Sequence, residues 1–326
     1  MIPSTLDALA EYARELGFIA CGVASLEPSR HADALDAWLA AGYGGSMRYL
    51  HRRARKRKTP AEIVPGATVA VVVLENYLPQ QAGVGHPESG PVNRESTDGT
   101  LRVKIAKYAR GTDYHRTLKR RLGLLAEWLR GRGATIAHTW ADDGPVPERE
   151  LAQRAGLGWI GKNTMLVRPE SGSFFFIGTV FTDLPLEPAR TPDYDRCGSC
   201  TRCLDACPTG AFVAPRLLDA TKCISYLTIE SRLPIPDALE GKLEGWGFGC
   251  DICNDVCPWN HRFAEPTAIP EYQDRGTIAN DDPGFFERMG EDEFAVRFGD
   301  SPLERPGLTG MRRNWSAAFR SLEAPR

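Results

Sequence analysis

Apolar positions near the start of the chain recur at helical spacing. Leu6, Leu9, Tyr12, Ala13 and Leu16 share one face, and the run stops at Gly17. This pattern predicts a helix over residues 4–17, then a short strand at Phe18–Val23. A second helix is expected from about Ala32 to Ala41. Val69 to Leu74 is an unbroken apolar run, as a strand buried on both faces requires. Residues 79–100 are rich in Gly, Pro, Ser and acids and read as a surface loop. A basic amphipathic helix is predicted over 113–131, then a strand at Thr135–Trp140, a helix at Glu148–Ala155 and an aromatic, β-branched strand at Ser173–Phe181. Strands and helices mixed over residues 1–190 indicate an α/β domain. From Thr191, Pro, Asp and Cys replace the periodicity, and this module runs to residue 262. Residues 263–326 form an acidic, loop-rich tail that turns helical over roughly its last fifteen positions.

The 326 residues leave room for two domains, or for one large domain with an inserted module. With 42% hydrophobic and 25% charged residues, a proper core is expected. The net charge of -2 hides an uneven distribution. Leu101 to Arg132 holds ten Lys/Arg against two acids, whereas Glu265 to Asp300 holds three Arg against ten acids. Local charge therefore says more about partners than the total does. The N-terminus lacks a cationic start followed by an apolar core, and the longest apolar run is too short to span a bilayer. A cytoplasmic chain is expected, and there tightly spaced cysteines bind metal rather than pair as disulfides.

Eight of the nine cysteines fall in one module. Its first half reads Cys197-x2-Cys200-x2-Cys203-x3-Cys207-Pro208, the bacterial ferredoxin run in which the fourth cysteine serves the other cluster. The second half is stretched: Cys223, then Cys250-x2-Cys253-x3-Cys257-Pro258. The crossover rule assigns Cys197, Cys200, Cys203 and Cys257 to one [4Fe–4S] cluster, and Cys207, Cys223, Cys250 and Cys253 to the other. Two structural zinc sites are the alternative. Zinc motifs present separated pairs, whereas three cysteines in seven residues followed by Cys-Pro mark clusters. Cys21 is left over in an apolar strand and reads as a plain buried thiol.

Two other motifs fail on context. Gly156-x-Gly158-x-x-Gly161 matches a dinucleotide fingerprint, and with Lys162-Asn163 it resembles the end of a P-loop. Both need a preceding strand, yet the preceding segment is helical, so Gly156 reads as its C-cap. Asp113-Tyr114-His115 approaches a cobalt-ligating histidine motif, but Leu118 stands where that motif has glycine.

Ordered blocks along the chain resemble the cobalamin-dependent epoxyqueuosine reductase family. They include Met47-Arg-Tyr-Leu50, Arg57 ahead of Thr59-Pro60, Glu75-Asn-Tyr77, Tyr108 to His115, Asp142 to Arg149, Gly156 to Thr164, Gly172 to Phe176, Cys223 to Glu230 and Cys257-Pro-Trp-Asn260. The resemblance implies an α/β N-terminal cobalamin-binding domain, a ferredoxin-like two-[4Fe–4S] module and a short helical C-terminal tail. It implies base-off cobalamin held between the first two, with the nearer cluster feeding it electrons. It further implies contacts to cobalamin from Arg57, Tyr108, Asp142, Lys162, Asn163, Ser173, Ser225 and Asp251. Asp142 takes the position of the proton donor, with Asp143 at a position usually filled by Ser or Thr. Read from the residues alone, Asp142 is equally a turn or cap residue before the following helix.

Reductive removal of an epoxide oxygen needs two electrons and two protons, and the leaving oxygen must be protonated. An acid beside a corrin and away from bulk water keeps its proton nearer neutrality. Attack of reduced cobalt on carbon and electron transfer without a Co–C bond both suit the sequence. The implied partners are tRNA bearing epoxyqueuosine and a low-potential donor of flavodoxin or ferredoxin type, with the chain acting as a monomer. Arg52 to Lys58 and the basic stretch 104–132 are candidates for RNA phosphates, against the alternative of solvated helix faces. Many members continue into a helical-repeat region, of which Arg312-Arg-Asn-Trp315 resembles only the start. Two rivals remain: a reductive dehalogenase-like enzyme, which carries an export signal and a tyrosine donor, and a non-enzymatic electron carrier.

Overall fold

In the computed structural model, which describes residues 5–80, 82, 100–191 and 194–324, Thr5–Glu15 (α1) turns Leu9 and Ala13 inward. Most of the loop expected at 79–100 lies outside the described residues. Gly17, at φ +90°, redirects the chain into the strand Ala20–Ser25 (β1). Ala32–Ala40 (α2) and Arg48–Lys58 (α3) follow; α3 buries no residue and ends in Arg55, Lys56, Arg57 and Lys58, where the helix dipole favours cations. The apolar run forms Val69–Asn76 (β2). Lys104–Ile105 (β3), Tyr114–Arg130 (α4), Ala137–Trp140 (β4) and Glu148–Arg154 (α5) come next. The hairpin of Trp159–Ile160 (β5) with Leu166–Val167 (β6) leads to Phe175–Thr182 (β7).

The sheet order is β1-β2-β7-β4, with every pairing antiparallel. Val71, Val73 and Val180 pack with Leu118, Leu122 and Leu125 of α4 on one face, and Val72, Leu74 and Phe181 with Leu151 of α5 on the other. Burying each such side chain stabilises by about 1.5–3 kcal/mol. The expected α/β layering is therefore present, but the parallel pairing that an alternating order favours is not.

Beyond β7 the cysteine region is built from short pieces: Arg202–Asp205 (α6), Phe212–Ala214 (β8), Leu217–Leu218 (β9), Ile224–Ile229 (α7), Asp237–Glu240 (α8), Trp246–Phe248 (β10), Ile252–Asp255 (α9) and Pro258–Phe263 (α10). Glu291–Phe298 (α11) and Gly307–Glu323 (α12) close the chain. β10 pairs in parallel with β3, stitching the cysteine region to the segment ahead of α4. Phe248, Val103, Ile105, Phe286, Met311 and Trp315 share one core, so the tail packs under both. Among the described residues no helix is long and apolar enough to cross a membrane.

Candidate active site and cluster loops

The two cysteine halves fold alike. Cys200-x2-Cys203-x3-Cys207 and Cys250-x2-Cys253-x3-Cys257 each wrap one short helix, α6 or α9. Thiol neighbours follow from this. Cys203 lies in the field of Cys257, Cys197 and Cys200, and Cys257 in that of Cys197 and Cys200. Cys250 feels Cys253 and Cys223, while Cys253 feels Cys223, Cys203 and Cys207. Burial pushes Cys203 up to about 11 and raises Cys250, Cys253 and Cys257 as well. Among the described residues no three Cys, His, Asp or Glu converge as they would around one ion. Donors point at sulfur: the Trp159 indole N–H to Cys197 Sγ at 3.4 Å and the Ala211 N–H to Cys207 Sγ at 3.4 Å. Eight thiols in two neighbour sets suit two four-iron cubes. Cys21 stands apart in the first core, its thiol pushed up to about 12 by burial.

Asp142 lies in the loop between β4 and α5, at φ +58°, a left-handed conformation rare for a residue with a side chain. Tyr114, at the start of α4, donates its hydroxyl to Asp142 Oδ2 at 2.6 Å, and the Asp142 N–H donates to Glu148 Oε1 at 2.7 Å. Tyr114 in turn stacks on Phe176, with ring centroids 4.2 Å apart. Burial, then the Asp142 carboxylate, push the Tyr114 phenol well above its ordinary value. Glu148 is pushed up to about 8 by burial and by Asp142. The neighbouring Asp143 differs. It accepts the Ala141 N–H at 3.1 Å and pairs with Lys119. Burial pushes its carboxyl up, but these partners outweigh that and hold it below the usual carboxylate range.

The eight residues expected to touch cobalamin fall into two groups. Arg57 and Tyr108 lie within reach of the Asp142 charge, as do Tyr49 and Arg149, and Glu230 acts on Tyr49 and Tyr108 as well. Arg57 donates to the carbonyls of Val146 at 3.1 Å and Gly144 at 3.2 Å, while its Nε is buried without a partner. The second group sits at the seam with the cluster loops. Lys162 Nζ donates to Gly198 O at 2.6 Å and Cys200 O at 3.0 Å, and Asn163 donates to Cys253 O at 3.3 Å. Ser173 is locked to Asn260 and Asn254, where Gly172, at φ +69°, leaves no room for a Cβ against Asn260. Asp251 accepts the Lys107 N–H at 2.7 Å, and Ser225 hydrogen-bonds to Cys223.

The glycine motif has a structural explanation. Gly156 N–H bonds to Gln153 O at 3.1 Å and Leu157 N–H to Ala152 O at 3.0 Å, a Schellman close to α5. Gly158 then lies so close to Val167 O that a Cβ would sit 2.3 Å from it. His115 bonds through Nδ1 to Asp113, whose carboxylate caps α4. Residue reading missed Tyr114 and Glu148 as neighbours of Asp142; the only signal was their presence in the matching blocks.

Aromatic and cationic groups here fit a corrin, a broad apolar disc edged with amides. Tyr108, Tyr114 and Phe176 supply an apolar wall, and the unpartnered Arg57 Nε supplies a buried donor.

Comparison with known proteins follows the same division. Residues 196–260 match a family described as a 4Fe-4S double cluster binding domain, and residues 57–142 match epoxyqueuosine reductase QueG, DUF1730. A Pseudomonas aeruginosa epoxyqueuosine reductase is 40% identical over 309 residues, which span 94% of this chain and 83% of that one. A crystal structure of epoxyqueuosine reductase with an epoxyqueuosine-modified tRNA-Tyr stem loop superposes with a TM-score of 0.86 at 30% identity, covering 98% of this chain and 81% of that one. The Bacillus subtilis enzyme, solved with its catalytic aspartate loop swung out of the active site, gives a TM-score of 0.83 at 30% identity, covering 98% and 82%.

Proposed function

Because the chain belongs to the epoxyqueuosine reductase family, we infer that it reduces epoxyqueuosine in tRNA to queuosine, with Asp142 as proton donor. The observation that carries the assignment of Asp142 is its contrast with Asp143. Asp143 is tied down by Lys119 and a backbone N–H, whereas Asp142 meets a phenol and one of its oxygens stays free to turn toward a leaving oxygen.

Arg57, Tyr108 and the residues at the cluster seam would hold cobalamin, which when bound would supply a low-potential cobalt centre for the reduction. The chain's own part is to hold groups in place. Arg57 braces the carbonyls of the Asp142 loop, and Tyr114 aims the carboxyl. The set Cys207, Cys223, Cys250 and Cys253 would hold the cluster nearer the cobalamin, with Cys253 near enough for its charge to act on Arg149. The set Cys197, Cys200, Cys203 and Cys257 is flanked by the exposed residues Gly198, Ser199, Thr201 and Arg202. In this reading the second set would hold the cluster open to a flavodoxin- or ferredoxin-type donor. The chain acts as a monomer in this reading. The exposed cations of α3 flank a cleft of about 540 Å³ beside Asp143 and Trp140, where they suit the phosphates of a bound anticodon loop. Movement of the Asp142 loop, as in the Bacillus subtilis relative, belongs to the same proposal.

The test is anaerobic turnover by the reconstituted protein with cobalamin, a low-potential reductant and epoxyqueuosine tRNA, with nucleosides read by mass. Loss of one oxygen is expected from the wild type and from Asp143→Asn, but not from Asp142→Asn. No turnover by a wild type carrying both clusters and cobalamin would overturn the substrate.

A further inference from the structure

We propose that Glu148 is a positioning residue: by accepting the Asp142 N–H it latches the loop in the conformation that presents the Asp142 carboxyl to the site. This rests on the reading of Asp142 as proton donor. The ring of residues from Asp142 to Glu148 is closed by one hydrogen bond of 2.7 Å, spanning six positions. A left-handed residue with a Cβ persists only where its surroundings over-determine it. Here the surroundings are side chains rather than a strand or helix ladder. Glu148 takes the donor of Asp142, and Arg57 takes the acceptors of Gly144 and Val146. Asp143 accepts the Ala141 N–H from within the turn.

An acid in the first turn of a helix ordinarily faces that helix's own free N–H groups or solvent. Glu148 occupies the first position of α5 yet reaches back out of the helix. Its distance from its target sets it apart from a capping box, where the glutamate bonds the cap residue three positions before it. Because the bond needs only an acceptor oxygen, a carboxylic acid, a carboxylate and an amide all serve. Breaking it releases the backbone that carries Asp142, which is the step any outward movement of this loop requires.

Two measurements on the full, iron-loaded chain test this. Deuterium exchange over residues 141–147, read without tRNA, follows the loop itself. Steady-state turnover of epoxyqueuosine tRNA, with its pH profile, follows the consequence. In Glu148→Ala, exchange at Asp142 should quicken at least about tenfold, and kcat should fall about ten- to a hundredfold with KM little changed. Glu148→Gln keeps an oxygen in place, and should restore protection, most of kcat and the shape of the pH profile. Wild-type protection and kcat in the Ala variant would overturn the latch. So would a Gln variant that loses turnover like Ala while its loop stays protected, since charge rather than positioning would then be at work. Quickened exchange in Ala with no turnover even in the wild type would uphold the latch and overturn the substrate instead.

Discussion

The cysteine loops and the Asp142 loop solve the problem of holding reactive groups in opposite ways. In the cysteine region most of the thiols lie within seven positions of one another, and the same short unit is used twice around α6 and α9. The Asp142 loop draws on distant segments. Its aiming hydroxyl comes from 28 positions before it, and the guanidinium bracing its carbonyls from 87 and 89 positions away. A local motif concentrates its function in each ligand, so it fails all at once. A site assembled across the fold spreads its function over many weak supports, so it fails by degrees.

The sharpest break of this comparison is the loss of one thiol. Cys253→Ser should lower the iron content by about half and abolish turnover, because an incomplete cage leaves an iron without its thiolate. Iron and sulfide assay with electron paramagnetic resonance checks it. Full iron content in this variant would remove the local site from the all-or-none class. The largest effect expected in the assembled site is Asp142→Asn, a fall in turnover of about 10²- to 10⁴-fold with both clusters retained. Asp143→Asn should stay within about threefold of the wild type, because it deletes a charge already neutralised by Lys119. A loss in Asp143→Asn as large as in Asp142→Asn would exchange their roles.

The same division explains what could be read before the fold was known. The strand at Val69–Leu74, the helix at 113–131 and the eight thiols were all legible, since periodicity and spacing are local. For α3 the sequence offers a run of cations and, as an alternative, a solvated helix face, but no helix bounds, because seven charged or small residues in succession carry no apolar stripe. β3 and β10 were missed for a related reason: strands of two and three residues have too few positions to show a period. Asp142 entered through family blocks alone, its positive φ being a tertiary outcome. Glu148 sat in plain view as a helix-start acid, and nothing local says that it turns backward.

A smaller effect, on stability rather than turnover, should come from Glu75. Its carboxylate is fully buried in β2, bonded to Arg121 of α4 at 2.7 Å and to the Tyr272 hydroxyl in the tail. Removing it in Glu75→Ala leaves Arg121 mostly buried without its partner, at a cost of about 3 kcal/mol. Urea denaturation measures this directly. A loss below about 1 kcal/mol would mean that Arg121 finds solvent or Glu271 instead, and that even the buried part of the assembled region is loosely held.

The smallest effect sharpens the comparison most, because it isolates one carboxyl of the assembled site. Glu148 ionises near 4.5 in an unfolded chain but near 8 when folded, raised first by burial and then by Asp142. Arg57 and Arg149 face it and pull the other way, and its field reaches the Tyr114 phenol. Between those two values the unfolded chain binds fewer protons at this position than the folded one, so stability falls as pH rises through the window. Glu148→Gln does not titrate. The two proteins should therefore melt alike near about pH 5, and the variant should become the more stable as pH approaches about 8. Partial exposure of Glu148 screens the effect, so a shift of a few degrees is expected by calorimetry on protein without tRNA. A difference that is flat with pH would show Glu148 ionised throughout, with Arg57 and Arg149 outweighing its burial; the latch would then close through a charged oxygen.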